Sequence, residues 1–79
     1  MKKSRSKADI RERFGYAVKL RREELGWTQE DLADKAGIHR TYLSDIERCG
    51  RNFSLINIER VALAMRFPIS ELFRIKEQW

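Results

Sequence analysis

WTQEDLADKAGIHRTYLSDIER, Trp27 to Arg48, decides how the rest of the chain is read. Two short apolar periodicities flank Gly37: Leu32, Ala33 and Ala36 before it, Leu43 and Ile46 after it. This spacing predicts two helices joined by a tight turn, a geometry that can lay the second helix in the major groove of DNA. Thr28 with Asp31 three residues on predicts an N-cap closed by a reciprocal capping box. Trp27 and Leu32 then stand at the two positions of a hydrophobic staple, and Gly37 supplies the left-handed residue that stops the first helix. Ile38 turns inward and His39 takes the N-cap of the second helix. With Leu43 and Ile46 pointing to the core, Arg40, Thr41, Ser44 and Arg48 fall on or beside the outer face. An exposed first turn carrying Arg and Thr is equipped for base edges and phosphates.

Before this stretch, a first helix is expected from about Asp9 to Leu25, with Gly26 as its stop. Ile10, Phe14, Ala17, Val18 and Leu25 share its core stripe, while Leu20 lies off it. Arg21 and Arg22 sit within or at the edge of that stripe. An unpaired guanidinium there would be costly, so at least one needs a carboxylate, and Glu47 is the candidate for Arg22.

Beyond the central stretch, the loop Cys49 to Phe53 ends at Ser54, the cap of a fourth helix. Leu55, Ile58, Val61, Ala62 and Met65 form its expected inner face, and Ile56 with Leu63 forms a second apolar strip on another side. A break at Arg66-Phe67-Pro68 precedes a last helix from Ile69 to about Lys76, bearing Ile69, Leu72, Phe73 and Ile75, with Trp79 at the chain end. Ile56, Leu63, Ile69, Phe73 and Trp79 are more apolar positions than so small a body needs. They are expected to form a homodimer interface.

Composition bounds the rest. The chain has 79 residues, 42% apolar and 37% charged, with one Pro and four Gly: one helical domain rather than a disordered or sheet-rich chain. A domain this size buries only about 60% of its unfolded surface, so help from a second subunit is unsurprising. The net charge of +5 suggests a polyanionic partner. Lys2, Lys3, Arg5 and Lys7 carry most of it, leaving thirteen basic against twelve acidic residues, a net +1, in residues 8–79. The binding case therefore rests on where individual charges sit. Residues 1–8 read as a basic tail, either solvated or laid along DNA as an arm, and residues 9–79 as one domain.

One Cys and one His build neither an intrachain disulfide nor a closed zinc site. Without a membrane-spanning or secretory apolar run, a cytoplasmic location is expected. Neither a catalytic constellation nor a phosphate-cradling glycine loop is recognisable, so no enzyme activity, metal, cofactor or small-molecule ligand is expected.

The combination Thr28-Gln29-Glu30-x-Leu32-Ala33, Gly37 and Tyr42-Leu43-Ser44-x-Ile46-Glu47-Arg48 resembles the XRE, or lambda-repressor-like, helix-turn-helix family over roughly residues 10–75. The run Arg40 to Ser44 with Arg51-Asn52 is similar to controller proteins of restriction–modification systems, small homodimeric regulators of their own operon. The resemblance implies an all-α, five-helix lambda-repressor-like DNA-binding domain, acting as a homodimeric regulator on double-stranded DNA. It implies a phosphate contact for Gln29 and base or backbone contacts for Arg40, Thr41 and Tyr42. Ser44, Arg48, Arg51 and Asn52 would lie at phosphates or the groove edge, with His39 a cap or phosphate neighbour. It also makes Arg22 and Glu47 a structural ion pair.

The chain departs from the pattern at Cys49, where glycine or asparagine is usual. Gly50 can take that conformation one residue later, which would shift the loop carrying Arg51. Asp45 either accepts from a cytosine or pairs with Arg48, the pairing being favoured. An antitoxin-like or anti-regulator module, binding a protein through the surplus apolar surface, is the alternative function on the same fold.

Overall fold

The computed structural model describes residues 10–48 and 53–74, the side chains of residues 73 and 74 excepted. Five helices follow one another: α1 (Ile10–Glu24), α2 (Gln29–Ala36), α3 (Arg40–Glu47), α4 (Leu55–Ala64) and α5 (Ile69–Arg74). Among the described residues there is no strand. α1 packs on α3 and α5, α2 on α3 and α4, and α4 on α5, so every helix helps enclose one core.

That core holds the residues the periodicity assigns to it. Phe14, Ala17 and Val18 of α1, Leu32, Ala33 and Ala36 of α2, and Leu43 and Ile46 of α3 are buried. Val61, Ala62, Met65 and Leu72 complete it. Phe53 enters from the loop before α4 and meets Phe14 with ring centroids 5.4 Å apart. Helices of eight residues, such as α2 and α3, are too short to persist alone in water. Their stability comes from this burial, about 2–5 kcal/mol for each Leu or Ile that truncation to Ala would remove.

Three helices end with the same pair of backbone bonds. The Trp27 N–H donates to Arg22 O and Gly26 N–H to Glu23 O; Ile38 N–H donates to Ala33 O and Gly37 N–H to Asp34 O; Phe67 N–H donates to Ala62 O and Arg66 N–H to Leu63 O. This is the Schellman arrangement, which demands a left-handed residue just past the helix. Gly26 (φ 75°) and Gly37 (φ 71°) supply it without strain, as the sequence indicates. The third position is Arg66 at φ 51°, where no glycine marked the stop in advance.

Two assignments to the core need correcting. Ile10 is 50% exposed, because it opens α1 and its side chain lies past the packed neighbours. Leu55 is 77% exposed, because it is the first residue of α4 and lies beside the outer strip rather than under the helix. Asp9, the loop residues 49–52 and residues 75–79, including Ile75 and Trp79, lie outside the described residues.

Candidate nucleic-acid interface

α2 is held at its start by the expected reciprocal bonds. The Asp31 N–H donates to Thr28 Oγ1 at 3.0 Å, and the Thr28 N–H donates to Asp31 Oδ2 at 2.9 Å. The N–H donated by Thr28 pulls the Asp31 carboxyl below its ordinary pKa. Leu32 belongs to the core cluster and Trp27, partly buried, packs against it. The first residue of α2 is Gln29, so its backbone N–H faces outward at a helix N-terminus, where anions are favoured.

α3 is fixed by Leu43 and Ile46, neither with any exposure. Their burial leaves Arg40 and Thr41 exposed and Ser44 half-buried at the edge. Gln29, Arg40, Thr41 and Ser44 line one shallow groove of about 160 Å³. The start of α2 and the first turns of α3 thus present a single polar surface.

Behind that surface stands a buried charge network. Arg22 Nε and Nη2 donate to Glu47 Oε2 and Oε1 at 2.7 and 3.0 Å, a bidentate pair whose side chains are 10% and 3% exposed. Arg22 Nη1 donates to the Trp27 carbonyl at 2.7 Å. The bond to Glu47 raises the Arg22 pKa above its already high ordinary value, against the opposing effect of burial. Gln29 Nε2 also donates to Glu47 Oε1, at 3.0 Å. One carboxylate therefore ties the end of α1 and the start of α2 to the end of α3. The Arg22–Glu47 pair is as expected, whereas the Gln29 link has no local signal, since the two residues are 18 apart in sequence.

The other candidates fall variously. Arg48 is exposed and pairs with Asp45 at 2.9 Å, the favoured option for Asp45. His39 takes the N-cap backbone of α3, but its side chain makes no capping bond, leaving the exposed imidazole facing solvent. Tyr42 is half-buried, its ring packed against the core cluster. Arg51 and Asn52 lie outside the described residues. On α4, Ile56 and Leu63 are 64% and 69% exposed, and Leu55, Ile56, Glu59 and Ile69 line a groove of about 280 Å³. The Phe73 side chain and Trp79 are outside the description. Among the described residues, no helix is long and apolar enough to cross a membrane, and no group of three or more His, Cys, Asp or Glu could hold a metal ion.

Comparison with known proteins matches residues 18–72 to the helix-turn-helix family. Control protein C.MunI from a Mycoplasma species is 42% identical over 66 residues, covering 82% of this chain and 89% of that protein. The crystal structure of the restriction–modification controller protein C.AhdI from Aeromonas hydrophila superposes with a TM-score of 0.77 at 38% identity, over 80% of this chain and 96% of that one. The controller protein C.Esp1396I, solved as a tetramer in complex with its natural 35 base-pair operator, matches with a TM-score of 0.77 at 33% identity, over 85% of this chain and 88% of that one.

Proposed function

This chain belongs to the helix-turn-helix family, and on that premise we propose that it is a sequence-specific transcriptional regulator of the restriction–modification controller kind. It binds double-stranded DNA as a homodimer on a pseudo-palindromic operator. The observation that carries this reading is the shared groove of Gln29, Arg40, Thr41 and Ser44 in front of a fully packed α3. In it, α3 enters the major groove, Arg40 pairs with a guanine edge and the Thr41 methyl meets a thymine. Gln29 receives a phosphate on its backbone N–H and on the amide hydrogen that Glu47 does not take. His39, Tyr42, Ser44, Arg48, Arg51 and Asn52 supply the flanking phosphate and groove-edge contacts. Residues 9–79 act as one domain and residues 1–8 as a basic tail.

A second copy covers Ile56, Leu63 and Ile69, together with Phe73 and Trp79, and sets the two reading helices one helical turn of DNA apart. The protein is cytoplasmic, acts without a cofactor and is not an enzyme. The same exposed strip on α4 supports one other reading, an antitoxin-like or anti-regulator module whose partner is a different protein.

Arg40→Ala separates them. Measured against an operator and its single-base variants, it costs about 1–3 kcal/mol and relaxes discrimination at one position per half-site. Equal weakening on every sequence would remove the base-reading role. Stoichiometric capture of a protein, without preference among DNA sequences, would favour the interaction module.

A further inference from the structure

A second cleft, of about 520 Å³, opens between the C-terminal ends of α1, α2 and α4, on residues separate from the Gln29–Ser44 groove. Its walls include Leu25, Trp27 and Ala64, and three cations border it: Arg21, Lys35 and Arg66, one from each helix end. The Lys35 ammonium stands 5.0 Å from the centre of the Trp27 ring, and the Arg21 guanidinium 4.7 Å from that of Phe67.

Basic residues at helix C-termini answer the helix dipoles, which accounts for the sign of these charges. It leaves two features over. Arg66 occupies a left-handed position where glycine is the unstrained choice. Arg21 is poorly satisfied: its bonds to the Met65 carbonyl and to the exposed Glu24 are both 3.5 Å, and its Nε is shut from water without an acceptor. The neighbouring Arg22, by contrast, makes bonds of 2.7–3.0 Å. A guanidinium held this loosely can turn to a better acceptor at little cost.

We propose that this cleft binds a small organic phosphate, giving the single domain an effector site away from its DNA-reading face. Three cations on three separate helix ends call for an anion with three or more acceptor oxygens, which a phosphate has and a carboxylate lacks. The organic body rests against Leu25 and Ala64, and the volume falls in the roughly 300–1,000 Å³ range of small-molecule sites. Trp27 is the residue from which the chain enters α2, so an occupant touches the element that carries Gln29.

The test is a titration of the full chain with ADP, pyrophosphate and adenosine, reading the Trp27 indole N–H by NMR at about 0.15 M salt. Trp79→Phe assigns the two indoles. ADP and pyrophosphate shift the Trp27 signal saturably, ADP with a Kd below about 1 mM, and adenosine does not. Arg66→Gly, which relieves the backbone, and the surface double variant Lys35→Gln/Arg66→Gln each weaken ADP roughly ten-fold or more, the loss expected for a charge-assisted contact. The proposal is overturned if neither phosphate probe gives a saturable shift up to about 10 mM. It is equally overturned if adenosine matches ADP, if both variants bind as the parent does, or if the shifts appear at Gln29 and Thr41 instead. None of these outcomes bears on DNA recognition, which the Arg40 measurement tests separately.

Discussion

Replacing Glu47 by Ala removes the acceptor on which three helices meet. The Arg22 side chain, 10% exposed, keeps only the Trp27 carbonyl as a strong partner, and Gln29 Nε2 loses its acceptor. Stranding one member of a buried ion pair costs about 3–5 kcal/mol. At about 0.05–0.15 kcal/mol per residue, a domain of this length has roughly 4–12 kcal/mol in all. Glu47→Ala should therefore remove at least about a quarter of that stability and shift the urea midpoint clearly downward. The double replacement Arg22→Met/Glu47→Leu removes both charges and fills the space with apolar atoms, a change that is often neutral. We expect it to cost no more than about 2 kcal/mol, less than Glu47→Ala alone. Urea unfolding followed by far-ultraviolet circular dichroism measures both, with an unchanged denaturant slope as the condition for comparing them. If Glu47→Ala lies within about 0.5 kcal/mol of the parent, the network is not structural. The same holds if the double variant is as unstable as the single.

Two further outcomes are expected. The Asp31 carboxyl has a folded-state pKa below its ordinary value of 3.8, so its contribution is present above that value and lost as pH falls through the folded pKa. Asp31→Asn should lower the thermal midpoint at pH 7, and its deficit relative to the parent should shrink as both are acidified below about pH 3.8; a deficit independent of pH would exclude the carboxylate as its source. Ile56→Asp/Leu63→Asp, on side chains already 64% and 69% exposed, should leave the fold intact but yield a monomer in analytical ultracentrifugation, with operator affinity reduced. A dimer that persisted would place the interface elsewhere.

What the sequence discloses here is mostly local. Thr28 with Asp31, Gly26, Gly37 and Ser54 mark helix ends through chemistry acting within one turn, and each end forms as those residues dictate. The 3.6-residue spacing places eleven of the twelve core residues on the stripes of the first four helices, and the twelfth, Leu72, on the last. It misplaced Ile10 and Leu55 because periodicity gives the direction of a side chain but not whether a neighbour extends far enough to cover it. Arg22 and Glu47 could be paired in advance because a guanidinium on a core stripe demands a carboxylate. The Gln29 bond to the same carboxylate and the Arg21–Lys35–Arg66 cleft could not. Both depend on how helices distant in sequence meet; the break at Arg66-Phe67-Pro68 is legible, but the left-handed conformation of Arg66 that closes α4 is not announced by its side chain.

Operator recognition as proposed depends on two copies of the outward face beginning at Arg40 reading one duplex together. Selection of bound duplexes from a randomised pool tests it most directly. The enriched sequence is expected to be a dyad whose half-site centres lie about 10–10.5 base pairs, or a whole multiple of that, apart. Enrichment of a sequence without dyad symmetry, or no enrichment over the starting pool, would contradict it.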